Sequence, residues 1–314
     1  MKAKAPHRAG FVALVGRPSA GKSTLLNRLL GQKIAIVSPK PQTTRGRILG
    51  IAKGEGYQLA LVDTPGLHQK LRGLSAALNE AAEAAAKEVD AVALVVDGAR
   101  AARLARSNED PVDHELLERI VHLAHGKPLA LLINKADLVD KERLLPSIQA
   151  WSEAQSFAVI YPLSALKGDN LEGLPKALVE LLPEGPDLFP EDHLTDQTER
   201  TLVAELIREQ VYRLTRDEIP YSVAVEVEEF DESLRDKKKP LVRISAVLFV
   251  ARESQKGILI GKRAEMLKTI GTSARKEIEK LLGAKVFLGL TVRVESEWTE
   301  SPQALRRFGY GLQK

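Results

Sequence analysis

Short, largely apolar runs recur through the first half of the chain, at residues 11–15, 58–63, 91–97, 128–133 and 159–166. Runs of this length without polar alternation read as buried strands, as in a parallel sheet. Between them, residues 25–30 have helical spacing with one packed face, residues 76–87 are alanine-rich with high helix propensity, and a helix is predicted around 111–124. The polar stretch 99–110 reads as a loop, with Arg100, Arg103 and Arg106 on a solvated face. After residue 182 the pattern changes. Residues 182–198 hold three prolines and several acids without any period, which is the composition of a linker or a domain boundary. Residues 201–214 are apolar at 202, 203, 206, 207, 211 and 214, the stripe of an amphipathic helix. Strands are predicted at 221–227 and 242–250, joined by the charged segment 228–240. A helix from Glu265 on, a longer one through 272–282 and a last strand at 285–295 follow. The predicted organisation is an α/β domain at 8–182, a linker at 183–198 and an α+β domain with its tail at 199–314.

The strand ends deliver the candidate chemistry. The first leads into Gly16-Arg17-Pro18-Ser19-Ala20-Gly21-Lys22-Ser23-Thr24, a Gly-x-x-x-x-Gly-Lys-Ser loop between a strand and a helix. Such a loop turns several N–H groups onto a phosphate at a helix N-terminus. Lys22 can reach the β- and γ-phosphates, and the Ser23 hydroxyl can ligate magnesium. Residues 34–45 are rich in proline, threonine and basic side chains, and Thr43 or Thr44 can close over the γ-phosphate and complete the metal shell. Asp63-Thr64-Pro65-Gly66-Leu67 follows a strand, so that Asp63 can hold the metal through a water and the Gly66 N–H can sense the γ-phosphate.

Asn134-Lys135-Ala136-Asp137 is the most discriminating motif after the phosphate loop. A carboxylate at Asp137 accepts two N–H bonds from guanine, whereas adenine offers no such donor pair. Asn134 would bond neighbouring loops and the base, and the aliphatic stem of Lys135 would cover the base plane. Ser164 and Ala165 are predicted to present N–H groups to the guanine O6.

In this order and spacing, GRPSAGKS, QTTR, DTPG, NKAD and SAL resemble the translation-factor class of small GTPases. The GRP start and the PQTTR segment narrow the resemblance to the Era family of ribosome-assembly GTPases. It implies a P-loop GTPase domain, a six-stranded mixed sheet flanked by helices. It also implies GTP and GDP as ligands, Mg²⁺ held by Ser23, Thr44 and Asp63, and catalytic contributions from Lys22, Thr44 and Gly66. The α-β-β-α-α-β order of the second half resembles a type II KH domain, with Gly261-Lys262-Arg263-Ala264 between its central helices. In such a domain the loop's main-chain N–H groups approach the phosphates of about four unpaired nucleotides. Lys268 and Arg275, on the helix beyond, complete the predicted RNA-binding set. From 237 to 293 there are 14 Lys and Arg against 4 Asp and Glu, an electrostatic footprint for nucleic acid. Lys237, Lys238 and Lys239 read as a solvated turn, Trp298 as packing, and Arg306 and Arg307 as possible aids to RNA binding.

The resemblance further implies the 3′ end of small-subunit (16S) rRNA as ligand, the 30S subunit as partner, a monomer, and peripheral association with the inner membrane. Three residues depart from the pattern. Leu67 stands where Ras-like proteins place a water-orienting glutamine, and Ser19 stands where related GTPases use an asparagine to help bind K⁺. Ala264 replaces the second glycine of a Gly-x-x-Gly loop, so either the helix begins there with ordinary geometry or the grip on RNA weakens. Two rival readings are a nucleotide-gated RNA-binding scaffold with negligible hydrolysis and a P-loop ATPase or kinase.

Composition adds little to this. The 314 residues suffice for two cores, and 44% hydrophobic with 28% charged content is ordinary for a globular chain. The absence of cysteine excludes disulfides and thiolate metal sites, and it fits a cytoplasmic protein. No apolar run is long enough to span a bilayer, and residues 1–10 are basic without an apolar targeting segment.

Overall fold

The computed structural model describes residues 6–38, 40, 43–67 and 73–310. Pro39, Pro41 and Gln42 of the segment 34–45 lie outside the described residues, as does the tail beyond 310. The described chain forms two compact units. The first comprises 6–35, 44–67 and 78–196, and the second comprises 197–310 with short pieces of 36–43 and 73–77.

The first unit is built on a six-stranded sheet. Its strands are β1 (Arg8–Val15), β2 (Ile48–Gly54), β3 (Tyr57–Asp63), β4 (Ala91–Asp97), β5 (Leu129–Asn134) and β6 (Val159–Pro162), in the order β2-β3-β1-β4-β5-β6. Only β2 runs antiparallel to its neighbour. Helices α1 (Lys22–Leu30), α2 (Gly73–Lys87), α3 (Gly98–Arg106), α4 (His114–Ala124), α5 (Lys141–Ala154) and α6 (Leu174–Val179) connect the strands. β1, β4 and β5 are buried over nearly their whole length, which is why their sequences lack alternation. The register sets Leu14 against Asp63 and Asp97 against Asn134, so the carboxyl ends of four strands come to one edge of the sheet. In open α/β sheets ligands bind at that edge.

Two sequence expectations change here, and one strand appears that the sequence reading did not include. Residues 99–110 do not begin as a loop. They contain most of α3, whose Asp97 cap accepts from the Arg100 N–H and whose Ala101 and Ala102 are buried while Arg100, Arg103 and Arg106 point outward. Residues 48–54 form β2 even though Gly50 and Gly54 interrupt their apolar character, because antiparallel pairing with β3 holds them. The last strand stops at Pro162, leaving Ser164 and Ala165 in a loop.

The segment read as a linker is no free tether over 183–196. Leu188 N, Phe189 N and the Phe189 carbonyl bond the Gln58 side chain, and the Ile51 N–H donates to the Leu194 carbonyl. His193, partly exposed, stacks on Phe189 with centroids 5.5 Å apart.

The second unit has a three-stranded sheet of β7 (Val223–Leu234), β8 (Leu241–Val250) and β9 (Lys285–Val294), with β7 antiparallel and β9 parallel to β8. α7 (Glu199–Leu214), α8 (Glu253–Ile260) and α9 (Glu265–Leu282) pack on it, and α10 (Pro302–Arg307) follows. Their shared core includes Val203, Ile207, Val211, Ile244, Leu248, Ile270, Ala274 and Ile278. β7 runs seven residues beyond the predicted end at 227, through two register shifts that hide its alternation. α9 is one continuous helix, not two. Gly271 sits within it, where an added Cβ would make ordinary contact with Leu290 at 3.4 Å. Trp298 is fully buried, and its indole donates to the Ser222 carbonyl at 3.0 Å, which is the packing role expected.

Candidate functional site

The phosphate loop spans the turn from β1 into α1. Gly21 holds φ +98°, and a Cβ there would lie 2.1 Å from the Asn134 amide nitrogen. Gly66 faces Pro18 so closely that a Cβ would meet the Pro18 nitrogen at 2.6 Å, so DTPG and the phosphate loop are in direct contact. Lys22 is buried, and its Nζ donates to the Gly16 and Arg17 carbonyls at 3.2 Å each. Burial pushes its pKa down, partly opposed by Asp63.

Ser23, Thr44 and Asp63 converge. Ser23 Oγ donates to Asp63 Oδ2 at 2.6 Å and lies 2.7 Å from Thr44 Oγ1, which donates to the same carboxylate oxygen at 3.3 Å. Of the two threonines considered, Thr44 is the one whose hydroxyl reaches this cluster. Asp63 is fully buried, and its Oδ1 has no hydrogen-bond partner among the described residues. Burial drives the carboxyl above its ordinary value, against the pull of Lys22 and the hydroxyl donors. Three hard oxygen donors, one with an unsatisfied buried atom, suit a small divalent cation.

Several residues of the predicted set serve the frame of the site instead. Thr64 donates its hydroxyl to the Leu14 carbonyl at 2.8 Å. Leu67 donates its N–H to the Gly16 carbonyl while its side chain is buried in the core, so that side chain cannot orient a water. The Arg17 guanidinium turns to Asp113, with Nε–Oδ2 2.7 Å and Nη2–Oδ1 2.8 Å, so only its main chain is left to face a phosphate. Pro18, Ser19, Ala20 and Thr24 complete the loop and the first turn of the helix, with Ser19 at φ +61°.

On the base side, the Asn134 amide donates to the Ala20 carbonyl at 2.8 Å, while its oxygen accepts from Lys135 N and Ala165 N at 2.8 and 2.9 Å. One side chain thus ties three loops together. The two N–H groups expected to face O6 both have partners within the fold. Ala165 N is bound by Asn134 and Ser164 N by the Asp169 carbonyl, so both brace the loop. Asp137 is partly exposed in the turn after β5, and its carboxylate accepts no hydrogen bond from a described residue. Sequence reasoning missed Arg28, whose guanidinium donates to the Ala165 and Leu166 carbonyls at 3.3 and 2.5 Å. An arginine on a helix face carries no signal for a partner 137 positions away.

In the second unit, Gly261 opens the loop at φ +71°, and Arg263 and Ala264 follow in the left-handed region at φ +51° and +60°. The alternative of ordinary helical geometry at Ala264 is therefore ruled out, and this alanine carries strain that a glycine would not. Lys262, Arg263, Lys268 and Arg275 are exposed. Beside the loop lies a groove of about 290 Å³, lined by Ala264, Leu267, Lys268, Gly271, Thr272, Arg275, Leu288 and Leu290. It pairs apolar walls with a cationic rim. Arg307 is withdrawn from an RNA role, since it pairs with Glu226 at 2.9 Å and lies over the Phe249 and Phe308 rings.

Comparison with known proteins agrees with the fold of both units. Residues 11–135 match the family described as 50S ribosome-binding GTPase, and residues 218–299 match the KH domain family. GTPase Era of Geotalea uraniireducens (strain Rf4) is 49% identical over 303 residues, covering 96% of this chain and 98% of the relative. GTPase Era of Stenotrophomonas maltophilia (strain K279a) is 44% identical, covering 99% of this chain and all of the relative. Among solved structures, a Tyr-to-Ala variant of Aquifex aeolicus Era bound to GDP·AlF₄⁻ superposes with a TM-score of 0.89 at 38% identity, covering 97% of this chain and 100% of that one. An Era complex with MgGDPNP and nucleotides 1506–1542 of 16S ribosomal RNA matches with the same TM-score and identity, covering 98% and 100%. With nearly full-length identity of this order, the chain belongs to the GTPase Era family.

Proposed function

We propose that this GTPase binds GTP through the first unit, binds the 3′ end of 16S rRNA through the second, and assists assembly of the 30S subunit. The observation that carries the reading is the Asn134 brace. It joins the phosphate loop to the base loops, and the nearby Asp137 carboxylate, which accepts no hydrogen bond from a described residue, lies beside where a guanine edge would rest. Nucleotide contacts are assigned to Gly16–Thr24 of the loop, Asp63–Leu67, Asn134, Lys135, Asp137, Ser164 and Ala165, with Arg17, Thr64, Leu67, Ser164 and Ala165 acting through the frame. Functionally, residues 8–182 form the GTPase part and 199–314 the RNA-binding part.

Mg²⁺ fits the Ser23, Thr44 and Asp63 oxygens, where it would neutralise charge on the β- and γ-phosphates. Lys22 and the loop N–H groups stabilise the charge that develops as water attacks the γ-phosphate, and the Gly66 N–H binds one of its oxygens. With Leu67 buried in the core and Ser19 short of a carbonyl arm, unassisted turnover is slow and depends little on K⁺. The RNA backbone is held at Gly261–Ala264 and its bases in the adjoining groove, with Lys268 and Arg275 on the rim. The similar Era complex with 16S nucleotides supports this ligand. The setting is the cytoplasm. Any membrane contact is peripheral, in keeping with the finding that no described helix is long and apolar enough to cross a membrane.

The test is steady-state GTP turnover with and without an oligonucleotide copying the 16S 3′ end, in potassium and in sodium buffer. Stimulation by the RNA, similar in both salts, is expected. RNA binding that leaves turnover unmoved would favour a scaffold in which hydrolysis is incidental.

A further inference from the structure

Asp97 carries no role in any motif of the chain, yet it stands at the edge where the base loops meet. It closes β4 and lies in register with Asn134 at the end of β5. One carboxylate oxygen, Oδ1, caps α3 by accepting from the Arg100 N–H at 3.0 Å. The other, Oδ2, accepts from Lys135 Nζ at 2.6 Å. The carboxylate has little freedom to leave. Gly98, the next residue, is pressed against β5 so tightly that a Cβ would lie 2.8 Å from Ile133 Cγ2 and 3.0 Å from the Asn134 carbonyl oxygen.

Lys135 needs such an anchor. Its backbone is fixed in the left-handed region, at φ +64°, by its N–H to the Asn134 side chain. Its side chain is about one-third exposed, and its ammonium is held by the Asp97 carboxylate. A lysine side chain free to rotate loses about 2 kcal/mol of rotamer entropy when it is ordered. We propose that Asp97 is a positioning residue for guanine binding, with Oδ2 drawing Lys135 Nζ across so that the methylene stem already lies flat where the base plane will rest. This rests on the guanine-nucleotide reading above. The competing account is an ordinary half-exposed ion pair with no bearing on the ligand, and such pairs contribute at most modestly.

The two accounts separate in a cycle of variants. Asp97→Asn keeps an N-cap of equal quality, so the nucleotide-free melting temperature should stay near that of the wild type. Dissociation of a fluorescent GDP, measured by chasing with unlabelled GDP, should be about three- to fivefold faster in Asp97→Asn at low salt, and the difference should shrink as salt rises. Lys135→Met keeps a stem of similar length without the charge. In that background Asp97→Asn should have no further effect on dissociation.

An equal increase in both backgrounds would overturn the proposal, because Asp97 would then act without Lys135. Unchanged dissociation in the single variant would overturn it too. Failure of the wild type to retain labelled GDP would instead strike the guanine reading itself.

Discussion

Ser23 Oγ donates to Asp63 Oδ2 across 2.6 Å, while the other oxygen of the same buried carboxylate has no hydrogen-bond partner among the described residues. Two residues forty positions apart thus share one small polar chamber, closed by the Thr44 hydroxyl at 2.7 Å from Ser23. A buried carboxylate left half-satisfied is costly to a fold, and the cost makes sense where a cation completes the set.

Ser23→Ala is therefore expected to weaken magnesium-dependent GTP binding by about 10- to 100-fold, the value of one or two lost charge-assisted contacts. GDP affinity measured in chelator should change far less. Titrating Mg²⁺ at fixed nucleotide checks this, and a loss that is equal with and without the cation would count against a metal role for Ser23.

Arg17 and Asp113 form a second relationship that ties the phosphate loop to the start of α4. Burial pushes the Asp113 carboxyl up, but the Arg17 guanidinium and the Leu116 N–H outweigh it and hold the group below its ordinary value. The hydrogen bond from the same pair raises Arg17. A depressed carboxyl contributes stability that is present above its unfolded pKa and is lost as pH falls through the folded one. Asp113→Asn, which keeps the cap, should cost about 1 kcal/mol at pH 7 and nothing once the pH is well below about 4. Thermal melts of the two proteins across that range are the measurement.

Ala264 holds φ +60° at the first turn of α9. The left-handed region costs a non-glycine residue about 1–2 kcal/mol, and glycine gives back about half of that through its freer unfolded chain. Ala264→Gly should then stabilise the protein by roughly 0.5–1 kcal/mol and tighten its hold on single-stranded RNA. Denaturant midpoints and RNA titrations report both effects together.

Lys262→Ala with Arg263→Ala removes two exposed cations from the loop. Single-stranded nucleic acid releases about 0.7 counterion per neutralised phosphate, so the slope of log K against log salt should become shallower by about 1.4. RNA affinities at several salt concentrations give the slope directly, and an unaltered slope would take this loop out of the RNA interface.

Much of the site was legible because its chemistry is local: a glycine loop, a strand-end aspartate and an Asn-Lys-x-Asp turn each announce themselves within a few residues. What escaped depends on distance. The antiparallel strand at 48–54 owes its state to pairing with β3, which outweighs two glycines. α3 hid behind arginines because its buried stripe is only alanine deep. The N–H groups of Ser164 and Ala165 look free in sequence and are bound in the fold, one of them by a side chain 31 positions away. Arg17 matches its motif perfectly and yet spends its charge on Asp113.

The central claim, that guanine is recognised through Asp137, is tested most directly by nucleotide competition on wild-type protein and Asp137→Asn. The wild type should prefer GDP over ADP by about 10⁴-fold, since an adenine edge leaves the carboxylate unpaired. An asparagine there presents an amide donor, so GDP affinity should fall about 100-fold or more, while XDP, which carries a carbonyl in place of the guanine amine, should gain. A GDP to ADP ratio near one in the wild type, or a ratio that Asp137→Asn leaves unmoved, would contradict the account.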